Sequence, residues 1–430
     1  MPCLTGPQTE HKKGGEPLQN YLYDNYIRNF DVSQDTDTVQ SELKDKFEPK
    51  KKQSVLLSES YDRLGFSGKS DRVSECGSWL DFIYDGDFEQ TAQESQNATQ
   101  PDTHALRASG CRVAPARARS PWKLHRANFC RDRLCPMCAW RRSYKIFGQV
   151  SKIMNYLGGK YRYIFLTLTV PNCSASDLDK KIDEMMTAWH KFCKRKRIVN
   201  AVKGFFRALE VTRNNNYYQI YYVGRGKNKK KRVIIGEDGQ PLKNPLYDTY
   251  HPHFHVVLAV NQSYFDSHDY ISRDDWLLFW QQSIKDFSIT QVDVRVFKGK
   301  NDNDTEDNSV RSLASAVAES SKYAVKSADY IFENKPHVMD NVVSVLAGAL
   351  AHRRLTAFGG VFLEAWKALG LDDPEDGDLI HVDDVNRSDI SEMIIKYRWT
   401  AGAYKLVKVG EYRVIGDSML CDPETGEIMN

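Results

Sequence analysis

An α+β fold with a central, largely antiparallel sheet is predicted by three features of this 430-residue sequence. From about residue 155 onward, stretches of period-two alternation and stretches of helical period follow one another regularly. Their order is strand, helix, strand, strand with a hairpin excursion, strand, helix, strand, helix. Upstream, residues 66–150 concentrate cysteines and arginines, which predicts a small metal-stabilised module ahead of the main sheet.

Taken in order, residues 1–65 are rich in Asp, Gln, Ser and Lys with little periodicity, and read as a flexible polar arm with at most one weak helix. Within residues 66–150 the stretch EQTAQESQNATQPDTH reads as a loop. The main domain, residues 151–385, opens with the strand YRYIFLTLTV (161–170), ended by Pro171 and Asn172. The stretch SASDLDKKIDEMMTAWHKFCKRK is an amphipathic helix with Ser176 or Asp177 as N-cap and basic residues in its last turn. KGFFRALEVTR (203–213) and YYQIYYV are strands, with a basic loop behind the second. Then come the strand YHPHFHVVLAV (250–260), the Trp-rich helix DDWLLFWQQSIKDF and the strand QVDVRVF (291–297). After an acidic loop, a helix is expected from about Val310 to Phe332. The set resembles a ferredoxin-like βαββαβ core with one added helix, its helices covering one side of the sheet. Residues 386–430 read as a separate tail with short strand-like pieces.

The net charge is only +3, so bulk electrostatics do not announce a nucleic-acid partner; the distribution says more. KFCKRKR (191–197) and GRGKNKKKR (224–232) are concentrated basic runs, each equally readable as a solvated helix end or hairpin tip, while DDPEDGD and DDVNRSDISE load acid near the C-terminus. The stretch MPCLTGPQTEHKKGGE lacks the apolar core of a secretory signal, and VVSVLAGALA, from Val342, is too short to span a bilayer. A soluble cytoplasmic protein is therefore expected, and its nine cysteines read as thiols and metal ligands, not disulfides.

Three constellations carry chemistry. FCRDRLCPMCAWRR brings together Cys130, Cys135 and Cys138, the last two as a CxxC knuckle that suits one tetrahedral zinc. A fourth ligand is open among Cys76, Cys111 and His125. Arg131, Arg133, Arg141 and Arg142 would then stand on a rigid platform suited to DNA phosphates. Second, His251, His253 and His255 share one face of their strand while Pro252, Phe254, Val256, Leu258 and Val260 share the other. The preceding strand adds Glu210, a carboxylate in an apolar run that is costly unless paired or bound to metal. Two imidazoles and a carboxylate leave coordination positions open, which suits catalytic Mg²⁺ or Mn²⁺ acting on a phosphate. Third, Glu319, Tyr323, Lys326 and Tyr330 fall on one helical face opposite the stripe Val310, Leu313, Val317, Ala324, Ala328 and Ile331. A tyrosine at 323, beside a carboxylate and lysines on a polar face, is odd as core packing and suits a phenolate nucleophile whose product Lys322 or Lys326 would neutralise.

FLTLTVPN (165–172), HPHFHVV (251–257) and ESSKYAVKSADY (319–330) resemble, in order, the three motifs of rolling-circle plasmid replication initiators. These are Rep proteins of the HUH endonuclease superfamily, in the branch of small Gram-positive plasmids. ANFCRDRLCPMCAWRRS resembles that branch's cysteine segment and GDLIHV (377–382) its usual end, so the resemblance spans about residues 70–385. It implies an HUH endonuclease core with a zinc-binding module, and site-specific nicking and religation of plasmid origin DNA. His253 and His255 match the metal-binding histidines, with His251 a neighbour or substitute and Glu210 the third ligand by strand adjacency. Tyr323 matches the nucleophile that forms a 5′-phosphotyrosyl enzyme, and Glu319 the acid that activates water to end the cycle. Tyr330 is available as a second tyrosine, which this branch does not usually need. SECGSWLDF resembles the upstream Cys-Gly segment, moving Cys76 ahead of Cys111 and His125. The implied partners are origin DNA, single-stranded at the nick and duplex nearby, and a host helicase with the replication machinery, in a bacterial cytoplasm. A relaxase or single-strand transposase is a weaker match in motif order. A zinc-anchored DNA-binding repressor, in which Tyr323 is ordinary, is the non-enzymatic alternative.

Overall fold

The computed structural model describes residues 39–84, 122–224, 229–296, 324–380, 391–415, 419–421 and 428–429. Helices α1 (Glu48–Arg63) and α2 (Ser67–Glu75) precede strands β1 (Trp79–Tyr84) and β2 (Trp122–Ala127) and the long helix α3 (Pro136–Leu157). The main domain runs β3 (Tyr161–Thr169), α4 (Leu178–Cys193), α5 (Lys196–Ala201), β4 (Val202–Arg213), β5 (Ile220–Val223), β6 (Lys230–Val233), β7 (Tyr250–Asn261), α6 (Arg273–Ile284) and β8 (Asp293–Val296). It is followed by α7 (Pro336–Ala349), β9 (Thr356–Gly360), α8 (Val361–Ala368), β10 (Ser391–Thr400), β11 (Ala403–Ile415) and the short strands β12 (Met419–Cys421) and β13 (Ile428–Met429).

The central sheet has the order β8–β3–β7–β4–β9, with every neighbouring pair antiparallel. Without β9 this is the βαββαβ arrangement, the first and third strands side by side and the second and fourth flanking them. The α+β expectation therefore holds, with β9 as an extra edge strand. Its closing turn depends on Gly360, whose φ is +54°; a Cβ there would stand 2.1 Å from the Lys203 carbonyl oxygen.

Both faces of this sheet are covered, which corrects the expectation of helices on one side only. On one face Phe254, Val256 and Leu258 of β7 pack with Ile182, Met185 and Trp189 of α4 and Trp276 and Trp280 of α6. Each such fully buried large side chain contributes roughly 1.5–3 kcal/mol. Ser272 and Asp275 form a capping box that starts α6, and Trp280 Nε1 donates to the Thr169 carbonyl at 2.7 Å. On the other face Val257 and Ala259 are sealed by Ile146, Val150 and Ile153 of α3 and by Phe362 of α8. The imidazoles of the same strand face that way too, nearer its start. One strand face is therefore apolar at one end and lined by imidazoles at the other.

Two boundary expectations are corrected. Residues 39–65 are not part of a flexible arm: the chain is helical from residue 39, with a π turn at Leu43–Phe47, and it buries Val39, Leu43, Phe47, Leu57 and Tyr61. Arg63 on α1 pairs with Asp340 on α7 at 2.8 Å. The segment beyond residue 385 is not a separate tail either. The hairpin β10–β11 joins the upstream module through β1, with Leu80 opposite Tyr397 and Phe82 opposite Ile395, in a six-stranded sheet β13–β12–β11–β10–β1–β2. The polar arm over residues 1–38 and most of the loop in the upstream module lie outside the described residues. Among those described, no helix is long and apolar enough to cross a membrane.

Candidate functional site

Register places the site. Glu210 on β4 stands directly opposite His253 on β7, and directly opposed residues project to the same face, so period two brings His255 beside them. His253 Nε2 lies 3.1 Å from Glu210 Oε2, His255 Nε2 2.8 Å from the same oxygen, and the two Nε2 atoms 3.0 Å apart. All three side chains are buried, Glu210 being only 3% exposed, so the carboxylate must be satisfied from within the protein. Burial alone pushes its carboxyl up; the hydrogen bonds from His253 and His255, with the positive charges of His253 and Lys326, outweigh burial and hold it well below the usual carboxylate range.

The arrangement fits a divalent cation. His253 Nδ1 is 3.2 Å from the His251 carbonyl, which only accepts, so its proton sits there; Nε2 donates to Glu210 when the ring is charged and turns its lone pair inward when the ring is neutral. His255 Nδ1 faces the Thr167 hydroxyl at 3.4 Å. In that neutral state three electron-rich atoms converge, and a proton on His255 Nε2 could satisfy only one of the remaining contacts. A cation satisfies all three. Bond lengths of about 2.0–2.1 Å put neighbouring corners of an octahedron about 2.9 Å apart, close to the three observed edges. His251 is not in this triangle: its Nε2 meets Thr169 Oγ1, and burial followed by repulsion from His253 pushes its pKa down. Thr167 and Thr169 are site residues that the sequence reading missed, although the alternation in FLTLTV displays them. Phe165, next on that face, stacks on the His255 ring at 5.5 Å.

Past β9, the outer edge of β4 is taken over by the segment that follows Tyr323. The Val211 N–H donates to the Ala324 carbonyl at 2.7 Å, and the Arg213 N–H to the Asp329 carboxylate. This explains why the expected helix through Phe332 does not continue: residues 324–332 hold bends and a 3-10 turn at Ser327–Asp329 instead. Lys326 Nζ reaches Glu210 Oε1 at 3.2 Å, so it is an ion-pair partner of this buried carboxylate. Asp329, also missed in the sequence, keeps a buried Oδ2 without a hydrogen bond, and burial raises its pKa. Tyr330 is no second nucleophile; it is buried and its hydroxyl donates to the Leu134 carbonyl. Glu319, Lys322, Tyr323 and the expected helix up to residue 323 lie outside the described residues.

Cys76, Cys130, Cys135 and Cys138 converge, with Sγ separations of 3.5 Å for Cys76–Cys138 and Cys76–Cys135 and 3.6 Å for Cys130–Cys138. These are far too long for disulfides and close to the edge of about 3.8 Å expected for sulfurs held by zinc at about 2.3 Å. Backbone N–H groups of Cys130 and Arg131 point at Cys76 Sγ and Cys138 Sγ, and buried Lys51 caps the Cys76 carbonyl at 2.9 Å. His125 is buried on β2 and outside this cluster; Cys111 lies outside the described residues. The four arginines expected to meet DNA phosphates each hold backbone carbonyls of the protein itself. Arg141 is buried and donates to the carbonyls of Leu379 and Ile380 at 2.8 Å. Arg142 holds the Glu375 carbonyl, Arg131 that of Asp376 and Arg133 that of Leu350. Arg131 and Arg142, with Lys145 paired to Asp372 at 2.7 Å, tie the acidic loop DDPEDGD to the start of α3 and the turn before it, while Arg133 and Arg141 hold neighbouring segments.

Residues 121–405 match the family model described as "Replication protein". Among curated proteins, the chain is 34% identical over 352 residues to "Protein rep" of Bacillus amyloliquefaciens, covering 78% of this chain and 85% of that one. It is 39% identical over 268 residues to "Protein rep" of a Bacillus sp, covering 60% and 77%. A "Protein rep" of Staphylococcus aureus is 29% identical over 290 residues, covering 67% and 95%. No solved structure matches the chain.

Proposed function

The chain belongs to the Rep family of replication proteins, the plasmid replication initiators, and from that premise we propose that it nicks and rejoins plasmid origin DNA through a 5′-phosphotyrosyl intermediate. The convergence of Glu210, His253 and His255 on one point carries this reading. A bound Mg²⁺ or Mn²⁺ would supply Lewis acidity at the scissile phosphate. The chain's own groups do the rest. The Tyr323 oxygen forms a bond to phosphorus, the bond from phosphorus to the 3′ oxygen breaks, and that oxygen leaves as a 3′-hydroxyl after taking a proton. Lys326, 3.2 Å from Glu210, keeps positive charge beside the phosphate's position, and Lys322 adds to it. Support for Tyr323 comes from connectivity: one peptide bond links it to Ala324, whose carbonyl is fixed to β4 next to Glu210. Glu319 takes a proton from the water that ends the cycle by hydrolysis. Zinc held by the four cysteines keeps the upstream module in place, and a host helicase opens the duplex beyond the nick.

With Mn²⁺ and a supercoiled plasmid bearing its own origin, the wild-type protein is expected to yield open circles. Glu319→Ala should still cleave but accumulate covalent adduct on denaturing gels. Failure of the wild type to nick its own origin would leave the DNA-binding repressor as the better reading, and normal release by Glu319→Ala would remove that residue from termination.

A further inference from the structure

The segment between β4 and β7, residues 214–249, is inserted between the two strands that carry Glu210 and His253. Its stem is tied together by side-chain and backbone contacts and begins three residues from Glu210, about 10 Å along the strand. Arg213 pairs with Asp248 at 2.6 Å, and Asn214 exchanges backbone hydrogen bonds with Thr249 and Asp248. Beyond the stem, β5 and β6 form a two-stranded ribbon with both faces open to solvent. Tyr221 stands opposite Arg232 and Tyr222 opposite Lys231, so each face presents one tyrosine with a cation across from it. Tyr221 is 49% and Tyr222 59% exposed, which a folding role does not require. Tyr217 and Tyr247 lie edge to face at the base, 5.1 Å apart. The insertion holds seven Lys and Arg against three acidic residues, whereas the whole chain has a net charge of only +3.

We propose that this ribbon is a binding platform for single-stranded DNA leading to or from the cleavage site, an inference that rests on reading Glu210, His253 and His255 as the strand-cutting centre. Exposed aromatic rings interleaved with cations suit unpaired bases, whose faces stack while phosphates meet the basic side chains. Paired bases hide those faces. A duplex would use the lysines and arginines but leave the tyrosines idle, and a protein partner would leave four clustered cations unexplained.

The test is fluorescence anisotropy of the full-length protein with fluorescein-labelled dT20, and with a 20-bp duplex of unrelated sequence, without added divalent cation. Tyr221→Ala and Tyr222→Ala are each expected to weaken dT20 binding about fivefold or more and to leave duplex binding within about twofold. Tyr221→Phe and Tyr222→Phe keep the ring and should bind dT20 like the wild type. Lys230→Ala with Arg232→Ala should make the salt dependence of dT20 binding shallower by about 1.4 in logarithmic slope. Alanine variants that bind dT20 like the wild type, phenylalanine variants as weak as alanine, or equal losses on duplex would each overturn the platform. No strand is cut in this assay. A tyrosine-dependent dT20 affinity in a protein that fails to nick its origin would therefore refute the nickase reading alone.

Discussion

Replacing His253 and His255 together by alanine is expected to reduce origin nicking by about 10³-fold or more at saturating Mn²⁺, because it removes two of the three atoms able to hold the cation. The same substitution takes away both hydrogen-bond partners of buried Glu210 Oε2 and leaves Lys326 as the charge facing Oε1. A buried carboxylate left short of partners costs about 3–5 kcal/mol, so some loss of stability is expected alongside the loss of activity. Adding Glu210→Gln to the pair separates the two effects: it removes the stranded charge and should restore much of the melting temperature without restoring nicking. Manganese binding, followed by electron paramagnetic resonance, should fall from one ion at this site to none. Nicking that survives the double substitution would place the cation elsewhere.

Removing zinc is expected to have the largest effect on stability. Structural zinc sites bind with about 10–16 kcal/mol, and a module tied to a neighbouring core shows only part of that as lost stability. Cys135 is the N-cap residue of α3, the helix that also seals Val257 and Ala259 behind the histidines and holds the loop around Asp372. Loosening its first turn therefore reaches both the upstream sheet and the central one. Cys135→Ser should lower metal content from about one zinc per chain to nearly none and drop the melting temperature by about 10 °C or more. Proteolysis should then cut first within residues 39–84. A fully stable, zinc-free Cys135→Ser protein would show that the four thiols are ordinary buried cysteines.

Much of this was legible in the sequence where one period dominated. The strand pattern from residue 161 to 297 is consistent with the βαββαβ order, since β3 and β7 each carry a short, almost continuously buried apolar run. Glu210 was readable because a lone carboxylate in KGFFRALEVTR has no cheap explanation. The helix at residues 39–63 was hidden because Val39, Leu43, Phe47, Leu57 and Tyr61 are spaced among lysines, serines and glutamates that dilute the apolar signal. Pairing of β10 with β1 joins residues more than 300 positions apart, and nothing local in SEMIIKYRWT names its partner strand. The arginines of FCRDRLCPMCAWRR misled for a related reason: basic character is visible in one dimension, but the carbonyls of residues 350 and 375–380 that absorb it are not.

The most direct measurement is the site of covalent attachment. Wild-type protein would be reacted with Mn²⁺ and a single-stranded origin oligonucleotide, digested with trypsin and nuclease, and the peptides read by mass spectrometry. Cleavage after Lys322 and Lys326 isolates Tyr323 from Tyr330. The expected product is a 5′-phosphonucleotide on the peptide Tyr-Ala-Val-Lys, absent when His253 and His255 are alanine. Attachment to any other tyrosine, or an undiminished adduct on Tyr323 in the histidine variant, would contradict a cation-assisted attack by that phenol.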